Sequence, residues 1–296
     1  MQNPITSITI NPPADFSFRE ALLAHGWRRL APFACDDSEM VLRRTHRFST
    51  GAVGCLVIYE EDSILQVGAS IEADPAELIS ACSTMFQLEV PMTGFYEFCG
   101  QQPKLSQIPE RKQGRLLRSP SIWEDCVKVI LTTNTTWSQT VSMTERLVET
   151  YGERADGGAG SATFPTPERI ALEPFESFSA AARVGYRAQA IYDLAQKTAR
   201  GELNLDEYLS RDFASDVIWK RLIALRGIGP YAAACMSIYL GRFDRVNVDS
   251  WARTMVSKEL GRAVTDKEVH AFFEPYGDWR ALVYHFYPWR HEQPEY

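Results

Sequence analysis

The chain has 296 residues, enough for one large or two to three smaller cores, and its 45% hydrophobic and 23% charged residues are those of an ordinary globular protein. No basic stretch followed by an apolar run opens it, and no apolar run approaches membrane-spanning length, so neither a signal peptide nor a membrane-spanning helix is expected, and an intracellular chain is. The net charge of −7 argues against a polyanionic partner, yet the whole excess sits in the first hundred residues, with six Arg and no Lys against thirteen acidic groups.

In chain order, the first hundred residues read as an α+β domain. Residues 5–10 alternate as a strand, and 16–26 look helical. Three strand-like segments rich in β-branched residues follow at 40–48, 52–60 and 63–71, then a helix from about 75 to 88. Residues 101–118 are polar and carry prolines, with Lys104, Arg111, Lys112, Arg115 and Arg118 against Glu110 alone. This segment reads as a basic linker to a second domain, and it leaves a local DNA-binding face open despite the overall charge.

From residue 119 to 296 the pattern is helical. Ser121-Ile-Trp-Glu124 reads as a capping box opening an apolar helix. The glycines of 156–161 mark a loop, and Thr166-Pro167-Glu168 sets a cap, an N1 proline and an acidic first turn at another helix start. Helices are expected at 187–199 and 214–226, each stopped by glycine, and two last ones at 250–260 and 266–287. The six cysteines are scattered without a CxxC pair, which argues against zinc, iron–sulfur and disulfide frameworks. Reduced thiols, no metal and no cofactor are therefore expected.

The most informative stretch is Leu225-Arg-Gly-Ile-Gly-Pro-Tyr-Ala-Ala-Ala-Cys235, followed by Val246-Asn-Val-Asp-Ser-Trp251. Gly227 and Gly229 bracket Ile228, an apolar residue able to plug inward while the glycines allow positive φ or close backbone approach. Pro230 suits the first turn of the next helix. Such a hairpin exposes bare amides at a helix N-terminus, where a phosphate binds without any basic side chain. Taken alone, Gly-x-Gly-Pro is often just a turn, and an Asp opening a helix is usually just an N-cap.

The two together, with Asp249 eighteen positions after Tyr231, resemble the helix-hairpin-helix–GPD superfamily of DNA glycosylases. Ile130-Leu-Thr-Thr-Asn-Thr-Thr-Trp137, Glu145-Arg-Leu-Val-Glu-Thr-Tyr-Gly152, Gly185-Tyr-Arg-Ala188 and Pro275-Tyr-Gly-Asp-Trp-Arg280 add to the resemblance, chiefly to its alkyl-purine and 8-oxoguanine branches. The resemblance implies damaged double-stranded DNA as partner, a monomer, and a base flipped into a pocket. It also implies that Asp249 stabilises the cationic sugar as the base departs, that Gly227 and Gly229 hold phosphate, and that Asn134 fills the vacated gap. Arg111 and Lys112 are expected to contact the DNA backbone.

Some members place a lysine two positions after the second hairpin glycine and cut the strand through a Schiff base. Tyr231 stands there, and Lys220 lies on the preceding helix, so a monofunctional enzyme without lyase chemistry is expected. The iron–sulfur branch, with four spaced cysteines at its end, is excluded because no cysteine follows Cys235. Tyr231, Trp137 and Trp289 are candidates for an aromatic base pocket, which would suit cationic alkylated purines. For both tryptophans a core position is the competing reading. Cys235 matches a pocket cysteine of the 8-oxoguanine branch, so an oxidised-purine glycosylase is the alternative, and a non-catalytic DNA-binding protein the third.

Overall fold

The computed structural model describes residues 4–155 and 161–289; the loop expected at 156–161 lies outside them except for Ser161. In chain order, β1 (Thr6–Ile10) and α1 (Phe18–Leu23) precede β2 (Phe33–Asp36), β3 (Val41–Arg47), β4 (Val53–Glu61) and β5 (Ile64–Ala69). Helices follow: α2 (Pro75–Met85), α3 (Thr93–Gly100), α4 (Gln107–Glu110), α5 (Ile122–Thr132), α6 (Trp137–Tyr151), α7 (Pro167–Ala171), α8 (Phe175–Ala182) and α9 (Ala188–Ala199). The last are α10 (Ser215–Ile223), α11 (Pro230–Tyr239), α12 (Ser250–Leu260), α13 (Asp266–Phe273) and α14 (Arg280–Phe286). The fold class is α+β, as expected.

These elements divide into two compact units, one of residues up to Glu89 with Arg115–Leu205, the other of Val90–Gly114 with residues from Asp206 onward. The division differs from the one expected, an N-terminal domain over 1–100, a linker over 101–118 and a helical domain over 119–296. Leu105, Ile108, Leu116 and Leu117 are fully buried, so the segment is packed structure rather than a tether. Its basic face is also smaller than the sequence suggests. Arg115 pairs with Asp15 at 2.9 Å and Arg118 with Asp125 at 2.8 Å, both buried, which leaves Lys104, Arg111 and Lys112 exposed.

In the first unit the strands form one antiparallel sheet in the order β1-β5-β4-β3-β2. Alternation on β4 turns Gly54, Leu56 and Ile58 inward, where Phe18, Leu22, Val67, Leu78, Met85 and Phe86 pack with them. β2 escapes a reading of the sequence, because its four residues, Phe-Ala-Cys-Asp, are too short to show a period.

Helix α5 is anchored to this sheet by charge. The Ser121 hydroxyl accepts the Glu124 amide at 3.3 Å, but the Glu124 side chain does not complete the capping box. It turns inward, to Arg44 of β3 at 3.1 Å and to Lys128 at 2.7 Å. Burial alone would raise its carboxyl, yet Arg44 and Lys128 hold it down at about 2. Lys128 is also seated against the Trp27, Phe33 and Phe164 rings.

In the second unit, Trp279 packs on Phe95 of α3 and stacks on Phe243, with centroids 5.5 and 5.9 Å away. The single helix expected at 266–287 is two. Pro275 lacks an amide and Gly277 sits at φ 57, ψ −131, so residues 274–279 form a 3₁₀ turn between α13 and α14. The broken path lets Tyr284 and Tyr287 pack against Phe273.

Candidate functional site

Helices α10 and α11 are joined through a turn in which Gly227 takes φ 82, a left-handed conformation that favours glycine. Ile228 is buried beneath the turn, as its apolar character requires, and Gly227, Gly229 and Pro230 are exposed. Gly229 caps α11 with no side-chain hydrogen bond, at φ −86, ψ −174. That backbone is open to any residue, and a Cβ placed there meets nothing within 4 Å. Neither conformation nor internal packing demands glycine at 229; its absence of side chain leaves the start of α11 uncovered.

Asp249 is the N-cap of α12. Its Oδ1 accepts the Ala252 amide at 2.7 Å and the Tyr284 hydroxyl at 3.0 Å. The capping role is real, but both bonds fall on one oxygen, so the carboxylate is oriented by two donors from two helices and Oδ2 takes neither. Sequence reasoning does not single out Tyr284, since an aromatic on a helix face reads as core, which its burial in part makes it.

Tyr231, in the first turn of α11, and Asn247, two residues before Asp249, both hydrogen-bond the buried Cys235 thiol one turn beyond Tyr231. Burial pushes that thiol up to about 12, with the Asp249 charge adding to the rise against the two hydrogen bonds. Tyr231, Cys235 and Asp249, expected from the sequence, are thus brought together, joined by Asn247 and Tyr284.

Trp289 lies in the same unit as part of an aromatic cluster, 4.2 Å from Tyr287 and stacked on Phe272 at 5.8 Å. Trp137 belongs to the first unit. It opens α6, and its indole lies so close over Gly26 that a Cβ there would stand 2.4 Å from Cζ2. Trp289 is buried, whereas Trp137 is half-buried.

Asn134 lies in the loop between α5 and α6, exposed and at φ 46. Its carboxamide donates to the Tyr186 hydroxyl at 3.3 Å, and its carbonyl accepts from Arg187 at 3.3 Å. Arg187 also bonds the Thr133 carbonyl and lies 4.6 Å from the centre of the Tyr186 ring. Tyr186 is 68% exposed, a large aromatic kept at the surface by this scaffold. The Gly185-Tyr-Arg-Ala188 run is its sequence signal, without an indication of what the tyrosine touches.

Arg111 and Lys112 are both exposed just past α4, with Lys112 at φ 55. Among the described residues no group of His, Cys, Asp and Glu is placed to hold a metal ion, and no helix is long and apolar enough to cross a membrane.

Residues 127–275 match the family model described as HhH-GPD superfamily base excision DNA repair protein. The DNA-3-methyladenine glycosylase of Bacillus subtilis (strain 168) is 25% identical over 221 residues, 72% of each chain. The solved structure of MBOgg1 with a low-affinity DNA ligand is 24% identical, covers 98% of both chains and has a TM-score of 0.76. The 3-methyladenine DNA-glycosylase of Archaeoglobus fulgidus is 19% identical over 96% of this chain and 98% of its own, with a TM-score of 0.75. At these identities the two structures establish the fold and leave the substrate open.

Proposed function

Since the chain belongs to the HhH-GPD superfamily of base excision DNA repair proteins, we propose that it is a monofunctional DNA glycosylase that excises alkylated purines from double-stranded DNA. The observation that carries the catalytic part is Asp249, fixed through Oδ1 by the Ala252 amide and the Tyr284 hydroxyl. With Oδ1 so occupied, Oδ2 is the oxygen offered to substrate.

The chemistry rests on that placement. The C1′–N bond of the flipped nucleotide breaks and its electron pair leaves with the base, so positive charge develops on the sugar. The Asp249 carboxylate opposes this charge, and water then adds to C1′ and gives up a proton, leaving an abasic sugar and the free base. A base already cationic from alkylation leaves neutral and needs no proton donor. Tyr231 supplies no amine, so no Schiff base forms at this position and the strand stays intact.

Gly227 and Gly229 leave the hairpin amides open to a phosphate, Arg111 and Lys112 add exposed positive charge, and Asn134 enters the gap left by the base, with the Tyr186 face beside it for stacking. Tyr231 and Cys235 line the pocket. The alkyl-purine preference rests on the aromatic Tyr231, whose ring face attracts a cationic base, and on the name of the B. subtilis relative. Cys235 favours the second reading, an oxidised-purine glycosylase. The packing of Trp137 on Gly26 and of Trp289 among aromatics supports structural roles for both.

A panel of duplexes with single defined lesions tests the proposal, with released base and strand breakage read separately. Release of 3-methyladenine or 7-methylguanine, with cleavage only after alkali, is expected. Borohydride trapping of a covalent protein–DNA adduct would overturn the monofunctional assignment, and release of 8-oxoguanine alone would overturn the alkyl-purine one.

A further inference from the structure

Asn247 is 6% exposed, on the segment that runs into Asp249. Its side chain lies against the buried Cys235 sulfur, in the sense that favours the thiolate. The carboxamide oxygen, Oδ1, is buried and has no hydrogen-bond partner among the described residues. A buried carbonyl left so bears the full cost of losing water, and folded proteins rarely keep one without use. Replacing Asn by an apolar residue of similar size would remove that cost, which makes its presence beside Tyr231, Cys235 and Asp249 informative.

We propose that Asn247 is a specificity-determining residue whose Oδ1 accepts a hydrogen bond from the 2-amino group of a flipped alkylated guanine. The inference rests on the glycosylase reading above. Methylation at N7 leaves that amine in place, whereas adenine and hypoxanthine carry only hydrogen at C2. A base with hydrogen there leaves Oδ1 orphaned, and a base with a carbonyl there sets two acceptors against each other. A pocket with a fixed buried acceptor discriminates through that mismatch far more steeply than through shape.

The test uses polymerase-made duplexes containing 7-methylguanine or 7-methylhypoxanthine, which differ by the amine alone, and methylated DNA carrying 3-methyladenine. Rates are divided by the spontaneous depurination rate of each base. The wild-type protein is expected to prefer 7-methylguanine over 7-methylhypoxanthine by at least about tenfold. Asn247→Leu should melt no lower than wild type, still release base, and bring the preference to within about twofold. Equal handling of the two bases by the wild type overturns the proposal without any variant, and so does a preference that survives in Asn247→Leu. Release of neither base, nor of 3-methyladenine, removes the alkyl-purine reading itself, an outcome distinct from loss of discrimination.

Discussion

The Tyr284 hydroxyl donates to Oδ1 of Asp249 at 3.0 Å, joining the last described helix to the first turn of α12. Asp249→Asn keeps the cap, because asparagine caps helices as well as aspartate does, and removes only the charge. Base release should fall by about 10²–10³-fold or more, with binding to lesion DNA and the melting temperature near those of wild type. Tyr284→Phe should cost about tenfold in single-turnover rate with little change in DNA affinity, the worth of one hydrogen bond to a charged group. Near-normal single-turnover rates in Asp249→Asn would show that the residue is a cap and nothing more.

The two hairpin glycines should separate on substitution. Gly227→Ala forces a Cβ into φ 82 and should cost about 1–2 kcal/mol of stability. Gly229→Ala meets no neighbour and no strain, so its melting temperature should hold. Its DNA affinity should instead drop by about tenfold, one charge-assisted hydrogen bond, as its methyl group covers the amides. Calorimetry and a fluorescence binding titration read the two effects apart.

Arg111→Ala with Lys112→Ala should flatten the log–log dependence of duplex affinity on salt by about 1.8, two phosphates at about 0.9 each. Arg115→Ala should leave that slope alone and lower stability, because Arg115 is spent on Asp15 inside the first unit. An unchanged slope in the double variant places the DNA elsewhere.

Glu124 links stability to acid. Its folded carboxyl is held at about 2, below its ordinary 4.5, so its contribution is present in full above 4.5 and disappears as pH falls toward 2. Urea unfolding monitored from pH 7 downward should show this loss. Glu124→Gln should already be less stable by about 3–5 kcal/mol at pH 7, since Arg44 and Lys128 then face each other unneutralised, and should lose less on acidification.

The features legible in the sequence are those that a local pattern encodes. The β-branched alternation of 53–61, the cap and proline at 166–167, the glycine stops and the plug of Ile228 all act within a few residues. The same holds for Asp249, marked by the helix that starts immediately after it. Contacts across long separations are opaque. Glu124 reads as the far half of a capping box until Arg44, eighty positions earlier, is seen to draw it inward. Arg115 and Arg118 read as a basic linker until Asp15 and Asp125 neutralise them. Asn247 stands inside the Val246–Trp251 motif, but an orphaned oxygen is a property of surroundings and has no signature in the chain.

The Cys235 thiol, lifted to about 12 by burial, is poorly disposed to react with electrophiles. Sulfur reacts with electrophilic methyl donors as thiolate, and at neutral pH this one is held almost wholly protonated. Cys82 and Cys99 are lifted to about 12 as well, and Cys126 higher still. Electrophiles therefore find little nucleophilic sulfur at these four positions.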